Sequence, residues 1–291
     1  MNYHSLITTC TSYIRNHASE EITAQDLSAL CGYSLYHLSS VFRACLGCSV
    51  GRFILEERLR LAAEMILMGR KITSVAMDSG FDTSSGFTRA FRRQFGCSPR
   101  EYRTLSQKET ALADPVQNLQ SIRPGHAVQP QFVKRSALKV YGYVIPVRED
   151  HINEDPLQSG KAAFWSQVDF KAFPSYPEDA SDYAEIGTWI NPDPTTGRMD
   201  YFFGYVTSDL RPAEGFHEIS LAPGDYAVFR ISYPESETGN VLPARVRDLW
   251  LYIFGEWFSN NSAMVFDDSR LCFEKYGAAE VEICVPILSA V

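Results

Sequence analysis

Hydroxyl and guanidinium side chains recur at helical spacing twice in the first third of this 291-residue chain: Tyr36, Ser39, Ser40 and Arg43, then Ser84, Ser85, Thr88, Arg89, Arg92 and Arg93. Such groups donate to phosphate oxygens and to base edges exposed in a duplex groove. The C-terminal half carries different chemistry. There, the carboxylates of Glu274 and Glu282 accompany the aromatic rings of Tyr143, Trp165, Trp189, Tyr205, Trp250 and Tyr276. A cation leaving water needs a π face or a carboxylate in place of its hydration shell, and this set supplies both. An aromatic residue at strand spacing is more often core, and a strand Glu more often faces water. Glu274 stands out because a carboxylate set among aromatics has to be compensated.

The polar sets lie in the segments Leu27–Arg43 and Val75–Arg92, which align with each other. Gly32 precedes Gly80 by 48 residues, and one inserted residue makes the offset 49 for Phe42/Phe91, Arg43/Arg92, Gly47/Gly96 and Ser49/Ser98. A repeat carried through turn, core and exit positions marks a duplicated unit. Gly32 and Gly80 each end a short helical stretch, where glycine enters the left-handed region without steric cost. Ser34, and Asp82 or Thr83, are placed to cap the helix that follows. Leu38 with Phe42, and Phe87 with Phe91, bury one helix face and leave the polar face for a major groove, so the pattern is a helix-turn-helix written twice. Arg52–Met68 reads as one long helix closed by Gly69, with Ile54, Leu55, Leu59, Ala62, Ala63 and Ile66 turned inward. Its length of about 25 Å suits two reading helices set about one helical turn of duplex apart, near ~34 Å.

Over Ile22–Leu105 the chain resembles the AraC/XylS family of bacterial transcriptional regulators. The most specific part is Gly80-Phe81-Asp82 followed by the run from Phe87-Thr88-Arg89-Ala90-Phe91-Arg92-Arg93 through Phe95-Gly96-Cys97-Ser98-Pro99 to Tyr102-Arg103. The resemblance implies a seven-helix, two-subdomain DNA-binding unit. It places Tyr36, Ser39 and Ser40 on the first recognition helix and Ser84, Ser85, Thr88 and Arg89 on the second. Ser39 and Ser40 stand where related members carry larger polar residues, which points to phosphate holding rather than base reading by the first helix.

Charge divides the chain. Residues 1–108 hold 13 Lys and Arg against 9 Asp and Glu, a net of +4, and the remainder holds 14 against 26, a net of −12, for a total of −8. Acidic bulk is repelled by DNA, so the N-terminal part is the credible nucleic-acid surface. The expected organisation is a DNA-binding domain at 1–108, a linker at 109–131 with Pro115, Pro124, Gly125 and Pro130, and a second domain at 132–291. No basic segment leads into an apolar core and no stretch approaches the ~18 apolar residues that span a bilayer, so a cytoplasmic protein without a membrane partner is expected. Seven cysteines fit reduced thiols. Cys45 and Cys48 have the spacing of a redox pair or half a zinc site, but without a second such pair they read as small helix-end residues, with oxidant sensing as the alternative. Neither a metal nor a cofactor is expected.

From Phe132 onward short apolar strands take over. Strands are expected at Ala137–Pro146, Ala184–Ile190, Tyr201–Val206, Glu218–Leu221, Tyr226–Ser232, Leu271–Tyr276 and Glu280–Ile287, with helices at Lys161–Lys171 and Pro243–Phe258. Two strand-helix-strand-strand halves offset by about 85 residues imply a pseudo-twofold α+β domain following an all-α one. Strand alternation puts Cys272, Glu274 and Tyr276 on one face and Phe273 and Lys275 on the other. Over Val133–Val291 this half resembles the gyrase-inhibitor-like family of small-molecule-binding domains. The residues that carry the likeness are Ala222-Pro223-Gly224-Asp225-Tyr226-Ala227-Val228-Phe229, Trp250 through Glu256-Trp257-Phe258, Cys272-Phe273-Glu274-Lys275-Tyr276 and Val281-Glu282-Ile283-Cys284-Val285-Pro286-Ile287. The resemblance implies an aromatic-walled pocket with a buried glutamate for lipophilic or cationic compounds. Glu274 is the first choice for it and Glu282 the second.

The expected function is a non-enzymatic transcriptional regulator. Its partners are double-stranded promoter DNA and a small-molecule effector, with RNA polymerase a further candidate. Two other classes stay open: a gyrase-inhibitor-like hydrolase with Glu274 as general base, and a protein-interaction module. His4, His17, His37, His126, His151 and His217 show neither triad nor metal spacing.

Overall fold

The computed structural model describes residues 3–105, 128–145, 184–206, 216–233, 241–277 and 280–289. Residues 3–105 form the helices α1 (Tyr3–His17), α2 (Ala24–Cys31), α3 (Leu35–Leu46), α4 (Val50–Leu67), α5 (Ile72–Asp78), α6 (Ser84–Phe95) and α7 (Pro99–Leu105). Gly32 ends α2 in the left-handed region at φ 72°, and Ser34 caps α3 by accepting from the His37 amide. In the second copy Gly80 turns the chain at φ 82°, and Thr83 rather than Asp82 caps α6, accepting from the Gly86 amide. The long helix starts at Val50 instead of Arg52 because the Ser49 hydroxyl takes the Arg52 amide as its cap bond. The C-terminal half of α4 packs Leu59, Ala62, Ala63 and Ile66 against Val75, Ala76, Phe87 and Phe91. Its N-terminal half shares a different core with α1, α2 and α3, so α4 joins two subdomains.

The second domain contains the strands β1 (Gln131–Arg135), β2 (Leu138–Ile145), β3 (Glu185–Ile190), β4 (Asp200–Val206), β5 (His217–Leu221), β6 (Gly224–Ser232), β7 (Met264–Phe266), β8 (Phe273–Tyr276) and β9 (Glu280–Ser289). Helix α8 (Val241–Tyr252) continues through a π-helical turn at Ile253–Trp257 and a last turn at Phe258–Asn260. The antiparallel sheet runs β1-β6-β9-β8-β3-β4-β2-β5, with β7 paired to the end of β9. The central stretch β6-β9-β8-β3-β4-β2 is a palindrome of the two expected halves, and its midpoint falls where β8 meets β3. Two strands were not foreseen. β1 is largely exposed and offers little apolar periodicity, and β7 is too short to show any. The Lys161–Lys171 helix, Trp165 and residues 106–127 of the linker region lie outside the described residues.

The two domains share one continuous apolar core. Tyr3, Leu6, Ile7, Leu38 and Phe42 belong to the same buried cluster as Phe254, Trp257, Phe258, Phe266 and Ile287. The Tyr3 ring meets Phe254 and Phe258 edge-on, each at 5.5 Å. Among the described residues no single helix is long and apolar enough to cross a membrane.

Candidate ligand pocket and nucleic-acid interface

At the centre of the sheet Gly187 of β3 pairs with Glu274 of β8. Glu274 is only 4% exposed, and its carboxylate is held by three neutral donors. Trp250 Nε1 donates to Oε1 at 2.8 Å, while the hydroxyls of Tyr201 and Tyr276 donate to Oε2 at 2.9 and 2.5 Å. Burial, then the neighbouring Glu274 charge, pushes both phenols well above the ordinary tyrosine range, so they stay protonated donors at neutral pH. The carboxylate lines a cavity of ≈370 Å³ walled by Trp189, Trp250, Phe254 and Tyr276. Three hydrogen bonds thus fix both carboxylate oxygens of Glu274 at the cavity wall.

Of the expected ligand residues, Glu274, Trp189, Trp250 and Tyr276 come together here. Tyr143 and Tyr205 instead pack against Phe216, with centroids 4.5 and 6.0 Å away, and are not among the described lining residues. Glu282 is a correction. Its register places it opposite Lys275, on the face away from Glu274, where Arg135 and Arg230 each pair with it at 2.7 Å. Burial pushes its carboxyl up, but hydrogen bonds from Arg230 and Arg135 outweigh that and leave it below the usual range. Strand alternation could not show that two arginines from β1 and β6 neutralise it.

The two reading helices differ. On α6, Ser84, Ser85, Thr88, Arg89, Arg92 and Arg93 are all exposed. On α3 the expectation of a free polar face is not met. Ser39 is 2% exposed, Arg43 is 8% exposed with its guanidinium 4.3 Å from the Trp189 ring centroid, and the Tyr36 hydroxyl accepts from the Cys272 amide at 3.0 Å. Ser40 is half-buried and lines the cavity. The reason is an intramolecular partner, the second domain, that no local pattern in α3 names.

That partner includes a turn missed by sequence reasoning, Asn191–Met199 between β3 and β4. Helix N-termini leave amides without intrahelical partners. Here Pro194 O accepts from Gln25, Thr195 O from Ala24 and Thr196 O from Gly51, each at 2.8 Å, at the starts of α2 and α4. The turn is stiffened by the Asp193 carboxylate, which accepts from the Thr195 and Thr196 amides and from the Thr196 hydroxyl. Its Pro, Asp, Thr and Gly residues read as a turn, but they do not say where it docks.

His37 of α3 is buried in the same interface, between Tyr3 and Tyr33 of its own domain and Phe266 of the other, with Asp268 nearby. Burial lowers its pKa to about 4, against the raising pull of Asp268. A base whose pKa is depressed on burial contributes fully above its free value and loses that contribution as pH falls. Stability should therefore decline between about pH 6.5 and 4, by up to ~3 kcal/mol. Urea unfolding of wild type and His37→Gln across that window checks this: the variant should lose most of the slope, and parallel curves would exclude His37 as its source.

Burial pushes the Cys45 thiol up to about 12, which leaves little thiolate for the redox alternative. Cys10 and Cys31 approach to 3.4 Å between sulfurs, a proximity that their spacing did not signal. Among the described residues no three His, Cys, Asp or Glu side chains gather as metal ligands.

Residues 133–287 match the family model described as integron-associated effector binding protein, and residues 27–104 match the model described as helix-turn-helix domain. The chain is 33% identical over 104 residues to the regulatory protein SoxS of Salmonella typhimurium, a match covering 35% of this chain and 97% of SoxS. It is 31% identical over 108 residues to the transcriptional regulator Rob of the same organism, covering 37% of each chain. A solved integron cassette protein from the mobile metagenome of Vibrio cholerae aligns over 55% of this chain and 96% of its own, at 19% identity and a TM-score of 0.39.

Proposed function

This chain belongs to the integron-associated effector-binding protein family through residues 133–287 and is an AraC-type helix-turn-helix transcriptional regulator through its N-terminal helices, and from that premise we propose that the cavity at Glu274 takes a lipophilic cation as its effector. Residues 1–108 bind promoter DNA, 132–291 bind the effector and 109–131 join them. On the DNA side the proposed contacts are Ser84, Ser85, Thr88, Arg89, Arg92 and Arg93 of α6, with Tyr36, Ser39, Ser40 and Arg43 of α3 as the second reading set.

The observation that carries the effector reading is the buried Glu274 carboxylate, fixed by three neutral donors among aromatic rings. Hydrogen bonds hold its position without cancelling its charge, and a desolvated charge gains most from a cation that brings its own apolar bulk. Calorimetry with tetraphenylphosphonium and its neutral analogue triphenylphosphine oxide tests this. Glu274→Gln should weaken the cation at least tenfold and change the neutral compound little. Equal affinities for wild type and variant would remove Glu274 from the site.

A further inference from the structure

Cation affinity accounts for one wall of the cavity only. Tyr36, Ser40, Arg43, Ala44, Leu46 and Gly47, which also line it, all come from α3 or its C-terminal cap, the first of the two reading helices. We propose that the effector site is built by both domains, with α3 as a wall, and that an effector filling it holds α3 off DNA. This rests on the reading of the cavity as an effector site.

A recognition helix must offer its side chains to base edges and phosphates to work in a groove. On α3 those side chains are already engaged by the second domain: Tyr36 by the Cys272 amide, Arg43 by the Trp189 ring, and Ser39 beneath Gly197 of the β3–β4 turn. The same turn occupies the Ala24, Gln25 and Gly51 amides, donors of the kind that meet phosphate oxygens when a helix N-terminus approaches a duplex. Docking and groove insertion of α3 therefore exclude one another, while α6 stays exposed in the docked form.

The direction of coupling follows from the volume. About 370 Å³ is open with α3 already docked, so a ligand of a few rings enters without displacing the helix. Contacts between that ligand and Tyr36, Ser40 or Ala44 exist only while α3 is docked. Such a ligand favours the docked state, and DNA must weaken the ligand by the same factor that the ligand weakens DNA.

Two substitutions loosen the docking from opposite sides. A Cβ at Gly51 would stand 2.8 Å from the Thr196 Cβ and 3.0 Å from its Cα, so Gly51→Ala obstructs the turn while favouring α4 itself. At Gly197, φ is 65° and a Cβ would lie 3.1 Å from Ser39 Oγ and 3.2 Å from the Ala24 Cβ. Gly197→Asn keeps the left-handed turn, which Asn tolerates, and adds a wedge. The full chain and both variants are titrated by fluorescence anisotropy into a duplex that the full chain selects from a random-sequence pool. Thermal melts confirm that each variant is folded.

Without ligand, both variants should bind the duplex at least tenfold more tightly than wild type; unchanged affinity in both overturns closure by docking. Tetraphenylphosphonium should weaken wild-type binding to DNA at least fivefold and leave the variants nearly unaffected, and a ligand that strengthens wild-type DNA binding overturns the stated direction. Ala44→Trp, which fills the cavity from the α3 side, should weaken tetraphenylphosphonium at least tenfold in calorimetry. Unchanged affinity there overturns the two-domain site. If tetraphenylphosphonium does not bind wild type at all, the effector reading falls and takes the ligand half of this inference with it, while the ligand-free comparison still upholds or overturns the closure of α3.

Discussion

Phe254→Ala is expected to lower the stability of the chain by about 3–5 kcal/mol, the range for truncating a fully buried aromatic side chain. Phe254 is 1% exposed and touches four other rings: it stacks on Trp250 at 5.9 Å and on Phe258 at 5.8 Å, and meets Tyr3 at 5.5 Å and Phe266 at 5.6 Å edge-on. Tyr3 comes from the helical domain and the other three from the sheet domain, so the lost ring leaves a void at their junction. A second consequence separates this variant from an ordinary core truncation. All four tryptophans lie at or beyond Trp165, whereas seven of the described helices lie in residues 3–105. Tryptophan emission and far-ultraviolet circular dichroism thus weight opposite halves of the molecule. With one continuous core the two signals should coincide in urea unfolding of the wild type, and in Phe254→Ala they should separate. Phe91→Ala provides the contrast, because Phe91 packs on Phe87, Phe95 and Tyr102 within the second subdomain. It should destabilise comparably without loosening the junction. A loss under about 1 kcal/mol with coincident signals in Phe254→Ala would show that the shared core does not couple the domains.

What the sequence disclosed and what it hid follow from the range of the interactions. Gly32, Ser34, Gly80 and the Leu38/Phe42 and Phe87/Phe91 pairs act within one or two helical turns, so their types and spacing carry the double helix-turn-helix directly. The alternation that set Glu274 and Tyr276 on one face of β8 is equally local. Tyr201, a donor to Glu274 from β4, lies 73 residues away, and its role needed the β3–β4 pairing before it could be seen. Glu282 misled for the same reason: Arg135, 147 residues distant, was not legible from its own strand. The burial of α3 is the extreme case. Tyr36, Ser39 and Arg43 have the composition of a DNA-reading face, and the surface that covers them is made by Trp189, Cys272 and a turn at residues 191–199. A polar face that is covered by another domain of the same chain looks the same in sequence as one that is open to solvent.

Gly187→Ala is expected to disable the pocket from within the sheet. Gly187 faces Glu274 across the β3–β8 pairing, and a Cβ there would lie 2.0 Å from the Tyr201 hydroxyl oxygen, 2.8 Å from Tyr201 Cζ and 3.2 Å from Glu274 Oε2. Tyr201 is 2% exposed and cannot swing into solvent, so the added methyl forces either the ring or the strand to move. Overpacking of this kind costs about 1–3 kcal/mol, and a buried carboxylate that loses one of its donors costs about 1–3 kcal/mol more. The combined loss of roughly 2–6 kcal/mol should be accompanied by loss of tetraphenylphosphonium binding, since Glu274 is then no longer held in place. A double-mutant cycle identifies the cause. Tyr201→Phe removes the oxygen that the new methyl strikes, so in the pair Gly187→Ala/Tyr201→Phe the two losses should fall short of their sum by more than about 1 kcal/mol. Strict additivity would mean that Gly187 serves the sheet backbone alone and that the hydroxyl of Tyr201 is not what requires a glycine opposite Glu274.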